Sequence, residues 1–66
     1  DFAYATVVSI AAIAAGDEIS LDNVWVKRPG TGSILAGRLD DVLGLRAARD
    51  IEPERHIAPE DLQGFE

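Results

Sequence analysis

The densest group of side chains with both the type and the setting to do chemistry is Lys27-Arg28-Pro29-Gly30-Thr31-Gly32. Two adjacent cations stand before a proline that fixes the local backbone and two glycines that let it turn sharply. That pattern reads as a rigid, exposed loop. In an otherwise acidic sequence, Lys27 and Arg28 are the only adjacent basic pair. An arginine held this way offers several N–H donors in a fixed fork to an acceptor-rich ligand such as a sugar amide, a carboxylate or a phosphate. Arg28 is therefore the first candidate for ligand binding, with Lys27, Pro29, Gly30 and Thr31 holding its loop. The competing reading is a solvated turn whose cations balance nearby carboxylates.

The remaining candidates are weaker. Asp40 and Asp41 are adjacent carboxylates, but at the start of a helical turn such pairs serve as partners of the backbone dipole rather than as an acid and a base. His56, the single histidine, falls in a turn and is expected to be solvated; alone it builds no His-rich metal site. Trp25 is expected to pack at a seam rather than to stack on a sugar. Arg46 and Arg49 are expected to point different ways from an extended segment and to pair with surplus acids, contributing little. With no cysteine in the chain, disulfides and Cys-based zinc sites are excluded.

The elements that must position these residues are short. Thr6 to Ile10 carries β-branched residues and reads as a strand. Alanine propensity alone would also allow a helix from Tyr4 to Ala15, but Pro53 interrupts the equivalent stretch later in the chain. Ser20 can cap a single turn over Leu21 to Val24. Trp25-Val26-Lys27 reads as an extended piece ending at Pro29-Gly30. Asp40 to Leu43 forms one helical turn, acidic at its start and stopped by Gly44. Pro59 suits the first position of another turn.

An internal repeat organises these pieces. Val7 to Val24 lines up with Leu45 to Leu62: Ile13 falls on Ile51, Ile19 on Ile57 and Asn23 on Asp61, a constant offset of 38 residues. Each copy reads as an apolar run, an isoleucine, a polar turn, a second isoleucine and a short acidic segment. The turns are Ala14-Ala15-Gly16-Asp17 and Glu52-Pro53-Glu54-Arg55. Two copies are too few for a solenoid, so a pseudo-twofold pair packed face to face is expected.

Composition sets the outer limits. At 66 residues the chain makes one small domain, burying only roughly 60% of the surface its unfolded form exposes. A partner or an unusually well-packed core must make up the deficit. Hydrophobic residues reach 47%, which fits a globule; much of that share is alanine, and the large core candidates are Val, Ile and Leu throughout with Phe2, Tyr4, Trp25 and Phe65. A formal net charge of −6 repels phosphate backbones and argues against nucleic acid. No basic amphipathic stretch suits a lipid surface. The apolar run from Ala3 to Ala15 is too short to span a bilayer and lacks the charged start of a signal peptide. Absence of cysteine fits a cytoplasmic setting. A start at Asp1 rather than methionine suggests a fragment or a processed product.

The run Trp25-Val26-Lys27-Arg28-Pro29-Gly30-Thr31-Gly32, preceded by Asp22-Asn23-Val24, resembles the signature of the C-terminal antifreeze-like (SAF) domain of sialic acid synthases. Asp41-Val42-Leu43-Gly44 and Ala47-Ala48-Arg49-Asp50-Ile51 are similar to that family's second block, so the resemblance covers Val7 to Leu62. It implies a small, mainly-β, loop-rich β-clip fold. It also implies a domain that is not catalytic alone but caps a metal-dependent (β/α)8 barrel, in a homodimer the partner's barrel. That barrel condenses phosphoenolpyruvate with N-acetylmannosamine or a related amino sugar. On this resemblance Arg28 contacts the amino sugar, and the divalent metal belongs to the barrel, none to this domain.

Type III antifreeze proteins share the fold, and the region matching their ice-binding face runs through Ala11, Ala12, Ala15, Gly16, Asp17, Glu18, Ser20, Leu21, Asp22 and Asn23. The alanines suit ice. Asp17, Glu18 and Asp22 do not, because they hold their own hydration. A SAF module of a pilus or flagellar assembly chaperone is a further alternative, which leaves the Lys-Arg-Pro-Gly segment without a purpose.

Overall fold

Ile13 and Ile51, the equivalent isoleucines of the two copies, pair with each other at the centre of the molecule. In this computed structural model, which describes residues 5–28 and 30–65, the Ile13 N–H donates to the Ile51 carbonyl at 2.8 Å and the Ile51 N–H returns to the Ile13 carbonyl at 2.7 Å. Two equivalent positions bonded to each other are what a twofold axis passing between them requires.

The bonds on either side obey the same operation. Ser9 N–H donates to Arg55 O (2.8 Å), and its repeat counterpart, Ala47 N–H to Asp17 O, is 2.9 Å. Ile57 N–H to Val7 O (3.0 Å) is matched by Ile19 N–H to Leu45 O (2.7 Å). The isolated bridge between Val8 and His56 repeats as the one between Glu18 and Arg46. The offset seen in the sequence is thus a real pseudo-twofold.

Among the described residues four strands follow from it. β1 (Thr6–Ser9) pairs antiparallel with β2 (Val24–Lys27), Thr6 opposite Lys27 and Ser9 opposite Val24. β3 (Arg46–Ala47) pairs antiparallel with β4 (Leu62–Gln63), Ala47 opposite Leu62. A strand rather than a helix forms at residues 6–9 because β1 finds partners on both edges: β2 along one, and on the other Val7 N–H donates to Ile34 O at 2.9 Å while Val7 O accepts from Ile57. All four of its residues are buried. The strand ends at Ser9, one residue before the expected limit, although Ile10 N–H still donates to Asn23 O at 2.8 Å, and Ile10 is exposed.

Between the copies lie a 3₁₀ turn, Ala36–Arg38, and the single turn α1 (Leu39–Val42). Asp40 and Asp41 stand in the first turn of α1, and Gly44 ends it at φ 90°. The acidic segments close alike: Ser20 N–H donates to Asn23 Oδ1 and Ala58 N–H to Asp61 Oδ2, both at 2.9 Å. Side-chain carboxamide and carboxylate here mimic a backbone turn. Ser20 Oγ adds an acceptor for Asp22 N–H at 3.2 Å, but β2 begins at Val24, so residues 21–23 form a turn and no helix. Pro59 opens the 3₁₀ turn Pro59–Asp61, as expected.

The core gathers Val7, Ile13, Ile19, Val24, Ile34 and Ile57 with Val42, Ala47, Ile51 and Leu62, from both copies and the connection between them. Phe65 is partly buried against it, while Phe2 and Tyr4 lie outside the described residues. Trp25 is 51% exposed, so within this domain it is not the packing residue that its size suggested. Among the described residues no helix is long and apolar enough to cross a membrane.

Candidate functional site

The basic loop leaves the sheet at the end of β2. Lys27 is the last residue of that strand, held opposite the buried Thr6, and Arg28 follows it at a bend. Both side chains are exposed. A cation placed immediately after a paired strand inherits the strand's rigidity at its Cα while its side chain extends beyond the sheet. Pro29 lies outside the described residues. Gly30 is half-buried and Thr31 exposed.

The loop is tied down by a residue expected to be solvated. His56 Nε2 lies 3.0 Å from Thr31 Oγ1, and its Nδ1 lies 3.1 Å from Thr6 Oγ1. Gly32 N–H donates to the same Thr6 oxygen at 3.2 Å. The ring packs so closely on Gly32 that a Cβ there would meet His56 Cβ and Nδ1 at 2.8 Å. His56 is exposed on one side, yet both ring nitrogens are engaged. Position 56 pairs across the axis with Val8, which sets it beside Thr6 on the neighbouring strand; the repeat alone does not place that axis.

The other candidates separate. Asp41 is bound to Arg38 at 2.7 Å, so Asp40 and Asp41 form no acid/base pair. Arg49 pairs with Asp61 at 3.3 Å, whereas Arg46 donates to the Gly16 carbonyl at 2.8 Å, a backbone acceptor instead of the surplus acid expected for it. Among the described residues no three His, Cys, Asp or Glu side chains gather where they could hold a metal ion.

A shallow depression opens at the pseudo-twofold axis, floored by Ile13 and Ile51 and rimmed by Asp17, Asp50 and Glu52. Two of those carboxylates already serve the backbone: Asp17 accepts from Ala14 N–H at 3.1 Å and Asp50 from Ala15 N–H at 2.8 Å. On the stretch compared with an ice-binding face, Asp17, Glu18 and Asp22 are all exposed, and charged groups there keep their own water.

The family model of the SAF domain matches residues 4–63. The chain is similar to the spore coat polysaccharide biosynthesis protein SpsE of Bacillus subtilis, whose crystal structure superposes with a TM-score of 0.80 at 32% identity over 94% of this chain. It spans 18% of the length of that protein. No curated protein matches it.

Proposed function

The chain belongs to the SAF domain family, and from that premise we propose that it is the amino-sugar-binding, substrate-capping domain of a sialic acid (nonulosonic acid) synthase. The observation that carries this reading is the intact Lys27-Arg28-Pro29-Gly30-Thr31-Gly32 segment, presented at the end of β2 with both cations exposed. Its likeness to a polysaccharide biosynthesis protein several times its length supports a place beside a larger catalytic domain. That domain is a (β/α)8 barrel, which holds the divalent metal and phosphoenolpyruvate and carries its active site at the strand C-terminal face.

The domain's own contribution is physical. Arg28 donates hydrogen bonds to the amino sugar and fixes its orientation, and the loop covers the barrel mouth, most simply that of the partner subunit in a homodimer. A cap of this kind excludes water and sets a near-attack geometry without breaking a bond itself. Lys27 adds positive potential, while Pro29, Gly30 and Thr31 set the loop's course.

The test is kinetic. In the full-length synthase, Arg28→Ala removes a charged hydrogen-bond donor, and kcat/KM for the amino sugar should fall on the order of 10–100-fold. The KM for phosphoenolpyruvate should barely move. Equal losses for both substrates would rule out a direct sugar contact. A prior check is the size of the native polypeptide, which should exceed this chain by about 250 residues, the length of a barrel.

A further inference from the structure

Thr6 is fully buried and sits between two groups that each claim its hydroxyl. Its oxygen accepts from Gly32 N–H (3.2 Å), so its own proton needs an acceptor. Among the described residues the acceptor within reach is His56 Nδ1, at 3.1 Å. A buried hydroxyl proton left without an acceptor costs about 1–3 kcal/mol, which is enough to choose between two imidazole tautomers. Nδ1 is therefore the bare nitrogen and Nε2 carries the proton. Nε2–H in turn donates to Thr31 Oγ1 at 3.0 Å. The result is one directed chain: Gly32 N–H to Thr6, Thr6 O–H to His56, His56 N–H to Thr31.

We infer that His56 is the positioning residue of the sugar-binding loop, locked as the Nε2–H tautomer by Thr6 and holding Thr31, next to Gly30 and Gly32, by a single directed hydrogen bond. The inference rests on the capping reading above for its functional consequence, though not for its geometry. It also settles a second question about the same atoms. The spacing of Thr31 Oγ1 and Nε2 is that of a nucleophile and its base, but a nitrogen that already carries a proton cannot take one, so His56 does not activate Thr31.

β1 and residues 30–33, the two stretches that meet the ring, carry no titratable side chain. Glu54 and Arg55 precede His56 on its own segment, and Lys27 stands opposite Thr6 on β2. The clamp thus joins the copies: the second supplies the ring and the first supplies the loop.

Asparagine separates positioning from mere support. In His56→Asn the carboxamide oxygen replaces Nδ1 as acceptor for Thr6, but the shorter side chain cannot reach Thr31. The full-length H56N synthase should melt close to wild type, while its amino-sugar KM rises roughly 2–10-fold, the worth of one neutral hydrogen bond, with kcat and the phosphoenolpyruvate KM unchanged. His56→Ala should raise the same KM at least as far and also lower the melting temperature. On the 66-residue chain at a pH where the ring is neutral, the 15N shifts should show Nε2 protonated and Nδ1 bare. An H56N enzyme with wild-type sugar KM, or a ring protonated at Nδ1, overturns the inference. If Arg28→Ala moves the sugar KM and H56N does not, the clamp falls and the capping reading stands. If neither moves it, the capping reading and the clamp's kinetic role both fall.

Discussion

In the first copy of the repeat the central turn carries Gly16 at φ 89°; in the second the same position is Glu54 at φ 62°. The backbone is the same and the side chain is not, and the two copies differ in this manner throughout. At another shared position the first copy has Ser9, fully buried, whose hydroxyl donates to the Glu52 carbonyl at 2.5 Å and accepts from Arg55 N–H at 2.9 Å. The second has Ala47, buried and with no polar atom in its side chain. The largest divergence is in the sheets. β2 runs on to Lys27, whereas β4 stops at Gln63, because Gly64 stands in the place of Val26 with φ 84° and turns the chain away. Only the first copy therefore reaches the basic loop, and the second contributes the residue that braces it. A duplicated unit can divide its labour in this way once the shared hydrogen bonds across the axis have fixed both halves.

Substitutions that treat the copies unequally test the comparison. Ile13 and Ile51 are 2% and 6% exposed at the axis, and truncating either to alanine should cost about 2–5 kcal/mol in chemical denaturation. The two losses should agree within about 1 kcal/mol; a wide gap would show that one copy folds largely without the other. Ser9→Ala should come next, at roughly 1–3 kcal/mol, since Arg55 N–H loses one acceptor in a part-buried turn. The smallest pair concerns the left-handed turn. Gly16→Ala meets no atom within 4 Å, so its cost is the backbone's alone, about 1 kcal/mol. Glu54→Gly should gain up to about 1 kcal/mol by the same reasoning, less the extra chain entropy of glycine. Should Glu54→Gly destabilise instead, the turns are not equivalent.

A good part of this molecule is local, and local features are legible in sequence. The β-branched run at residues 6–9, the stop at Gly44 and Pro59 at the start of its turn all depend on residues close along the chain, whose preferences act before any packing exists. The basic loop was legible for the same reason: proline, glycine and adjacent cations announce themselves wherever they stand. The pseudo-twofold was legible as a repeat, and the structure supplied its axis at Ile13 and Ile51.

His56 and Trp25 were not legible, and the cause is the same for both. Which groups surround a side chain is a property of segments distant in sequence, here Thr6 and Thr31 for His56, at separations of 50 and 25 residues. A turn histidine has no local mark that tells a solvated ring from one held at both nitrogens. Trp25 likewise has a strand residue's size and hydropathy, but the edge it occupies on β2 leaves its ring half in water.

By itself the sequence determined the repeat, the positions of the turns and the residues of the basic loop, because these follow from backbone preference and side-chain type over a few residues. Only the tertiary structure decided which copy carries the loop's brace and in which form His56 holds it. Those depend on a buried hydroxyl whose one proton must find an acceptor, and burial is created by the packing of the two halves.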